Sequence, residues 1–160
     1  SQKGGACLAT GDGAYYMELE SPRCIRDAAG LCAVDLEELK IDPAKVISIH
    51  RWDHGVLIFV SPGRAKSFIV CTVVRVNLED KKIDRFPVRY YEDPVDVERP
   101  PTGVRVTDVS PDGEWFCGYI YLKDWEINSW AYNNFIIHNL PTGESKKVHR
   151  THGEGKFSPI

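Results

Sequence analysis

The sequence has no run of five like charges, and its apolar stretches, such as "GVLIFV" at Gly55 to Val60, fall far short of the eighteen or so residues of a membrane helix. Membrane insertion is therefore not expected. Its 20 basic and 23 acidic residues are spread along the chain and leave a formal charge of -3, which points to neither nucleic acid nor an anionic membrane as partner. No charged segment followed by an apolar one opens the sequence, which is equally true of a chain whose signal peptide has been removed. Cys-x-x-Cys pairs are also missing, and the odd count of five cysteines leaves at least one thiol unpaired in a monomer. Cys71 and Cys117 sit in apolar runs and read as buried thiols. Cys24 and Cys32 flank the turn-rich "IRDAAGL" and are candidates for a short disulfide, with Cys7 as the other candidate partner. Such a bond favours a periplasmic or secreted protein over a cytoplasmic one.

Catalytic signatures are equally scarce. Gly-x-Ser-x-Gly, Ser-x-x-Lys and His-Glu-x-x-His do not occur, and Ser61 and Ser110 stand beside proline in turns. His50 and His54 are four apart and His149 and His152 three apart, spacings that share a face on a helix but not on strands and turns. The acidic pairs Glu92-Asp93 and Asp96-Glu98 belong to a proline-rich stretch and read as a solvated face. "GDG" at Gly11 precedes a strand, so no helix N-terminus follows to receive a phosphate. No catalytic residue, metal or cofactor is assigned on these grounds.

What the chain does contain is period-2, β-branched and aromatic runs punctuated by Gly, Pro and Asp. At 160 residues they fit one domain, 1–160, with a core of its own. Three places align: "GDGAYYMELE", "WDHGVLIFVS" and "SPDGEWFCGY" each set a glycine (Gly13, Gly55, Gly113) after an acidic turn and before an apolar run. Downstream, Asp35-Leu36, Asn77-Leu78 and Asn139-Leu140 each stand between a strand-like run and a polar turn. Glycine and marker are separated by 22, 22 and 26 residues, which puts a four-residue insertion in the third copy. "DLEELKIDPAKV" has helix-like leucine spacing, but the alignment assigns it to marker, turn and strand.

Strands "VISIHRW" and "GVRVTDV" precede the second and third glycines, so a full unit is a four-stranded antiparallel meander. With "SPDG" between its first two strands and "NLPTGE" between its last two, it resembles a β-propeller blade of the TolB or WD-repeat kind. The resemblance implies an all-β fold of three four-stranded blades at about 12–45, 46–88 and 103–150, with the proline- and acid-rich 89–102 as linker. The first unit lacks a leading strand, so the propeller is expected to be incomplete or open. The tail "GKFSPI" resembles the opening strand of a further unit and is a candidate to complete the first blade. The alternative fold is a β-sandwich of ordinary hairpins.

The insertion carries Trp125, Trp130 and Tyr132 among Asp124, Glu126 and Asn128, in a loop that the repeat pattern does not account for. Large rigid aromatics of this kind are typical binding hot spots. The corresponding loop of the second unit offers Arg64 and Lys66, and the turn before its second strand offers Trp52 and His54. The reading is a non-catalytic protein-binding module. By analogy with small propeller-like immunity proteins, it would act as an inhibitor that blocks a toxic or secreted partner enzyme. The alternatives are a scaffold or self-assembling segment of a larger propeller, for which a homodimer would speak, and a propeller-type carbohydrate-active or hydrolytic enzyme.

Overall fold

The computed structural model describes residues 6–62, 69–90, 103–124 and 129–148, the stretches 121–124 and 129–134 by their backbone. Twelve strands form among them, together with one short 3-10 helix, Pro43–Lys45. They make three four-stranded antiparallel sheets. The first holds β1 (Cys7–Ala9), β2 (Tyr15–Glu18), β3 (Cys24–Asp27) and β4 (Cys32–Asp35). The second holds β5 (Val46–Trp52), β6 (Gly55–Val60), β7 (Ile69–Asn77) and β8 (Ile83–Arg89). The third holds β9 (Gly103–Val109), β10 (Trp115–Asp124), β11 (Ser129–Asn139) and β12 (Ser145–Val148). Strand order follows chain order in every sheet, the meander of a propeller blade.

Side-chain alternation explains how the sheets stack. In β6 the odd and even positions are all apolar, and all but the last, Val60, are buried, the pattern of a strand covered on both faces. Val56 and Ile58 join Val74 and Val76 of β7 against Met17, Ile25 and Val34 of the first sheet. Leu57 and Phe59 join Val73 against Phe116, Ile120 and Ile136 of the third. The second sheet is thus the middle layer. In the first sheet Tyr16, Glu18 and Arg26 alternate with the inward Met17 and Ile25, so the face turned away from the second sheet is polar.

The recurring turn chemistry is now visible as geometry. In the first and third sheets Thr10 and Ser110 each donate a hydroxyl to an aspartate two residues on, Asp12 at 2.7 Å and Asp112 at 2.6 Å. Each hydroxyl also accepts an N–H from five residues on, Tyr15 at 3.2 Å and Trp115 at 3.0 Å. Gly13 and Gly113 then take φ of 73° and 69°, a left-handed conformation that glycine adopts without strain. Gly55 is not their equivalent. It opens β6 opposite Trp52 after a two-residue turn, and a Cβ there would lie 2.1 Å from the Val76 carbonyl oxygen.

The marker pairs also share one structure. Leu36, Leu78 and Leu140 donate their N–H groups to the carbonyls of Arg23, His54 and Glu114, each the residue just before a strand, at 2.8, 2.8 and 2.7 Å. In the first sheet, however, this motif closes β3–β4, the last hairpin; in the others it closes β6–β7 and β10–β11, the middle one. The equal 22-residue spacings are therefore not equivalent. Three strands of four residues fit the first interval, whereas two longer strands and a loop fill the second. Two corrections to the sequence reading follow. The first unit begins at Cys7 with a leading strand of its own, too short to show alternation, and "KIDPAKV" holds a 3-10 turn capped by Asp42 instead of a fourth strand. The proposed tail strand at 155–160 lies outside the described residues.

Cys24 and Cys32 form a disulfide between β3 and β4, with Cα atoms 5.4 Å apart. Closing so short a loop is worth roughly 2 to 3 kcal/mol in the chain-entropy model, a sizeable aid to a sheet whose strands are this short. Cys71 and Cys117 are buried thiols outside the disulfide, and burial pushes both upward, Cys117 to about 11.

Gly113 provides a test of sheet packing. A Cβ there would come within 2.7 Å of the Trp52 ring, whereas one at Gly13 would meet nothing within 4 Å. Both substitutions to alanine incur the left-handed strain of about 1 kcal/mol. Only Gly113→Ala adds overpacking, so it should lower urea-unfolding stability by roughly 3 kcal/mol in all; equal losses for the two variants would contradict the packing described.

Candidate functional site

The third sheet carries the feature that departs most from the repeat. Among the described residues β9 pairs with β10 as far as Gly103 opposite Tyr121, and β12 pairs with β11 from Val148 opposite Phe135. Beyond them Leu122–Asp124 pair with Ser129–Ala131 alone among the described residues. At 10 and 11 residues β10 and β11 are the longest strands among the described residues, and their far end, Leu122–Asp124 against Ser129–Ala131, is a two-stranded arm of the hairpin. The extra length of the third copy therefore goes into strands. Trp130 and Tyr132, expected in a loop, are strand residues opposite Lys123 and Tyr121, and Asp124 ends β10. Trp125, Glu126, Arg64 and Lys66 lie outside the described residues.

Trp52 occupies a different place from the one its sequence position suggested. It is 8% exposed, and its indole N–H donates to the Val76 carbonyl at 3.2 Å. Arg75 lies over its ring at 5.5 Å, donates to the Gly113 carbonyl at 3.0 Å and pairs with Asp84 at 3.1 Å. Burial made Trp52 a fastener between the second and third sheets. His54, half-exposed, stands edge-on to it at 5.3 Å and pairs with Glu79 at 3.0 Å.

Two histidines far apart in the chain lie at the ends of one aromatic row. His50 meets Phe59 edge-on at 5.2 Å, Phe59 meets Phe116 at 5.1 Å, and Phe116 meets His138 at 5.4 Å. His138 is 1% exposed and hydrogen-bonded through Nδ1 to the Ser145 hydroxyl, while its Nε2 has no hydrogen-bond partner. Loss of water pushes both imidazoles down to about 4, with Asp108 opposing the shift at His50. His50 and His54 do not converge, His149 and His152 lie outside the described residues, and no three metal-ligating side chains meet among the described residues.

A groove of about 450 Å³ opens where the leading strands meet, lined by Leu8, Ala9, Gly11 and Asp12, by Ser48–Arg51 of β5 and by Thr107–Val109 of β9. Asp12 accepts from the Thr10 hydroxyl, the Ala14 N–H and Arg51 at 2.9 Å, which hold its carboxyl at about 2. His50 Nε2 and the Ser48 hydroxyl are hydrogen-bonded at 3.0 Å. No sequence motif marks this site, because its walls come from three segments that are distant in the chain. Comparisons with family models, with curated proteins and with solved structures give no match.

The histidines predict an acid transition. With folded values near 4 and an ordinary value of 6.5, the unfolded chain binds more protons between those limits, so stability is full above about pH 6.5 and falls toward pH 4. Urea unfolding should show a loss of about 4 to 5 kcal/mol between pH 7 and pH 4.5, and His138→Gln should remove about half of it; an unfolding midpoint independent of pH in that window would contradict the buried neutral row.

Proposed function

We propose that the chain is a non-catalytic protein-binding module that engages its partner through the β10–β11 arm, acting as an inhibitor that covers or enters the active site of an enzyme. The observation that carries this reading is the long β10–β11 hairpin, whose strands are the longest among the described residues and whose far end includes Trp130 and Tyr132. Aromatic residues on a paired, pre-ordered arm lose little conformational entropy on binding, which favours them as anchors. The charged residues Asp124, Glu126, Arg64 and Lys66 would steer association more than add affinity. The disulfide supports an exported setting, periplasmic or secreted, because such bonds persist in oxidising compartments.

The hydrolytic alternative has one specific observation in its favour, the hydroxyl–imidazole contact of Ser48 and His50. A histidine whose proton affinity is lowered to about 4 is a weak base at neutral pH, so the pair suits hydrogen bonding to a ligand better than serine activation. Self-assembly by stacking would have to use a surface other than the polar outer face of the first sheet.

Capture from an extract of the source, with wild type and a Trp130→Ala/Tyr132→Ala variant in parallel, tests the reading. A single stoichiometric enzyme should be retained by the wild type and lost by the variant, with affinity for the purified enzyme reduced by about 2 kcal/mol or more and the unfolding midpoint unchanged. Undiminished capture and affinity in the variant would remove the arm from the interface.

A further inference from the structure

We propose that the groove between the leading strands is a carbohydrate site that takes a neutral mono- or disaccharide, independent of the arm. Its volume of about 450 Å³ is within the usual range of small-ligand pockets. Three sheets contribute their edge strands to it, β1, β5 and β9, and an edge strand presents backbone N–H and C=O groups that its own ladder does not use. Side chains add acceptors at Asp12 and Asp108, a donor at Arg51, and groups that can do either at Ser48 and His50. A lining that mixes donors and acceptors matches hydroxyl groups, each of which both donates and accepts.

Charge narrows the choice. The mouth contains both signs, but Arg51 and Asp12 are already paired at 2.9 Å, and both side chains are about half-exposed, at 56% and 43%. That pair leaves no isolated guanidinium to hold the carboxylate of an amino acid or a phosphate. It does offer a donor beside an acceptor, the arrangement that two adjacent hydroxyls of a pyranose can bridge. Leu8 and Val109, both half-buried, supply apolar wall for the C–H surface of a sugar ring. His50 stays uncharged at neutral pH and keeps the Ser48 hydroxyl in place for such a ligand.

Titration of the 15N-labelled protein with glucose, galactose, mannose, N-acetylglucosamine, lactose and cellobiose tests the assignment. At least one of them should shift the amides of Ser48–Arg51 and Thr107–Val109 with a dissociation constant of about 10 mM or lower. Ser48→Ala and Arg51→Gln should each weaken that binding by about tenfold, while leaving the unfolding midpoint near that of the wild type and the Trp130 and Tyr132 amides unmoved by sugar. Three results would overturn the proposal: no shift in these amides with any sugar up to about 50 mM, equal binding by both variants, or binding of free amino acids or short peptides in place of sugars.

Discussion

Burial of the second sheet on both faces is the constraint from which the remaining architecture follows. A single strand, β6, sends Val56 and Ile58 to one side and Leu57 and Phe59 to the other, and each of these four side chains is fully buried. Burying an aliphatic or phenyl side chain of this size is worth about 1.5 to 3 kcal/mol relative to exposure, so neither face can be left to water without a large loss. The first and third sheets are held against it for that reason. Once they are in place, β1 and β9 come to lie beside β5, and the groove appears between them.

Apolar packing alone would allow the sheets to slide, and arginines of the second sheet restrict this. Arg51 reaches the first sheet at Asp12, Arg85 donates to the Leu39 carbonyl of the following connection, and Arg75 donates to the Gly113 carbonyl of the third. The Asp53 N–H adds a backbone bond to Pro111 at 2.8 Å. Exposed ion pairs contribute little to stability, so Arg51–Asp12 serves mainly to set position. Arg75 differs, since it is largely buried, pairs with Asp84 and lies over the rings of both Trp52 and Phe86.

Local chemistry was legible in the sequence wherever a turn needed particular atoms. The acidic turns before Gly13 and Gly113 and the Asx–Leu markers each have a backbone demand that few residues meet and form as their residues require, whereas Gly55, aligned with those two glycines, opens a strand instead. Which hairpin a marker closes was not legible, because strand length decides it and short strands such as Cys7–Ala9 carry almost no periodic signal. Trp52 misled for a related reason: a tryptophan beside a turn looks exposed until the neighbouring sheet supplies Gly113 to cover it. Neither the aromatic row from His50 to His138 nor the groove could be read in advance, since both are made by contacts between sheets. The arm was half legible, its extra length being countable and its strand character not.

The proposed binding arm and groove both depend on the middle layer holding its neighbours in register, which makes the protection of β6 the most direct measurement of the account. Native-state hydrogen exchange followed by NMR should find the amides of Val56–Phe59 exchanging only through global unfolding, with those of β1 and β12 opening at much lower free energy. Exchange of β6 as fast as that of the outer sheets would contradict a second sheet buried on both faces.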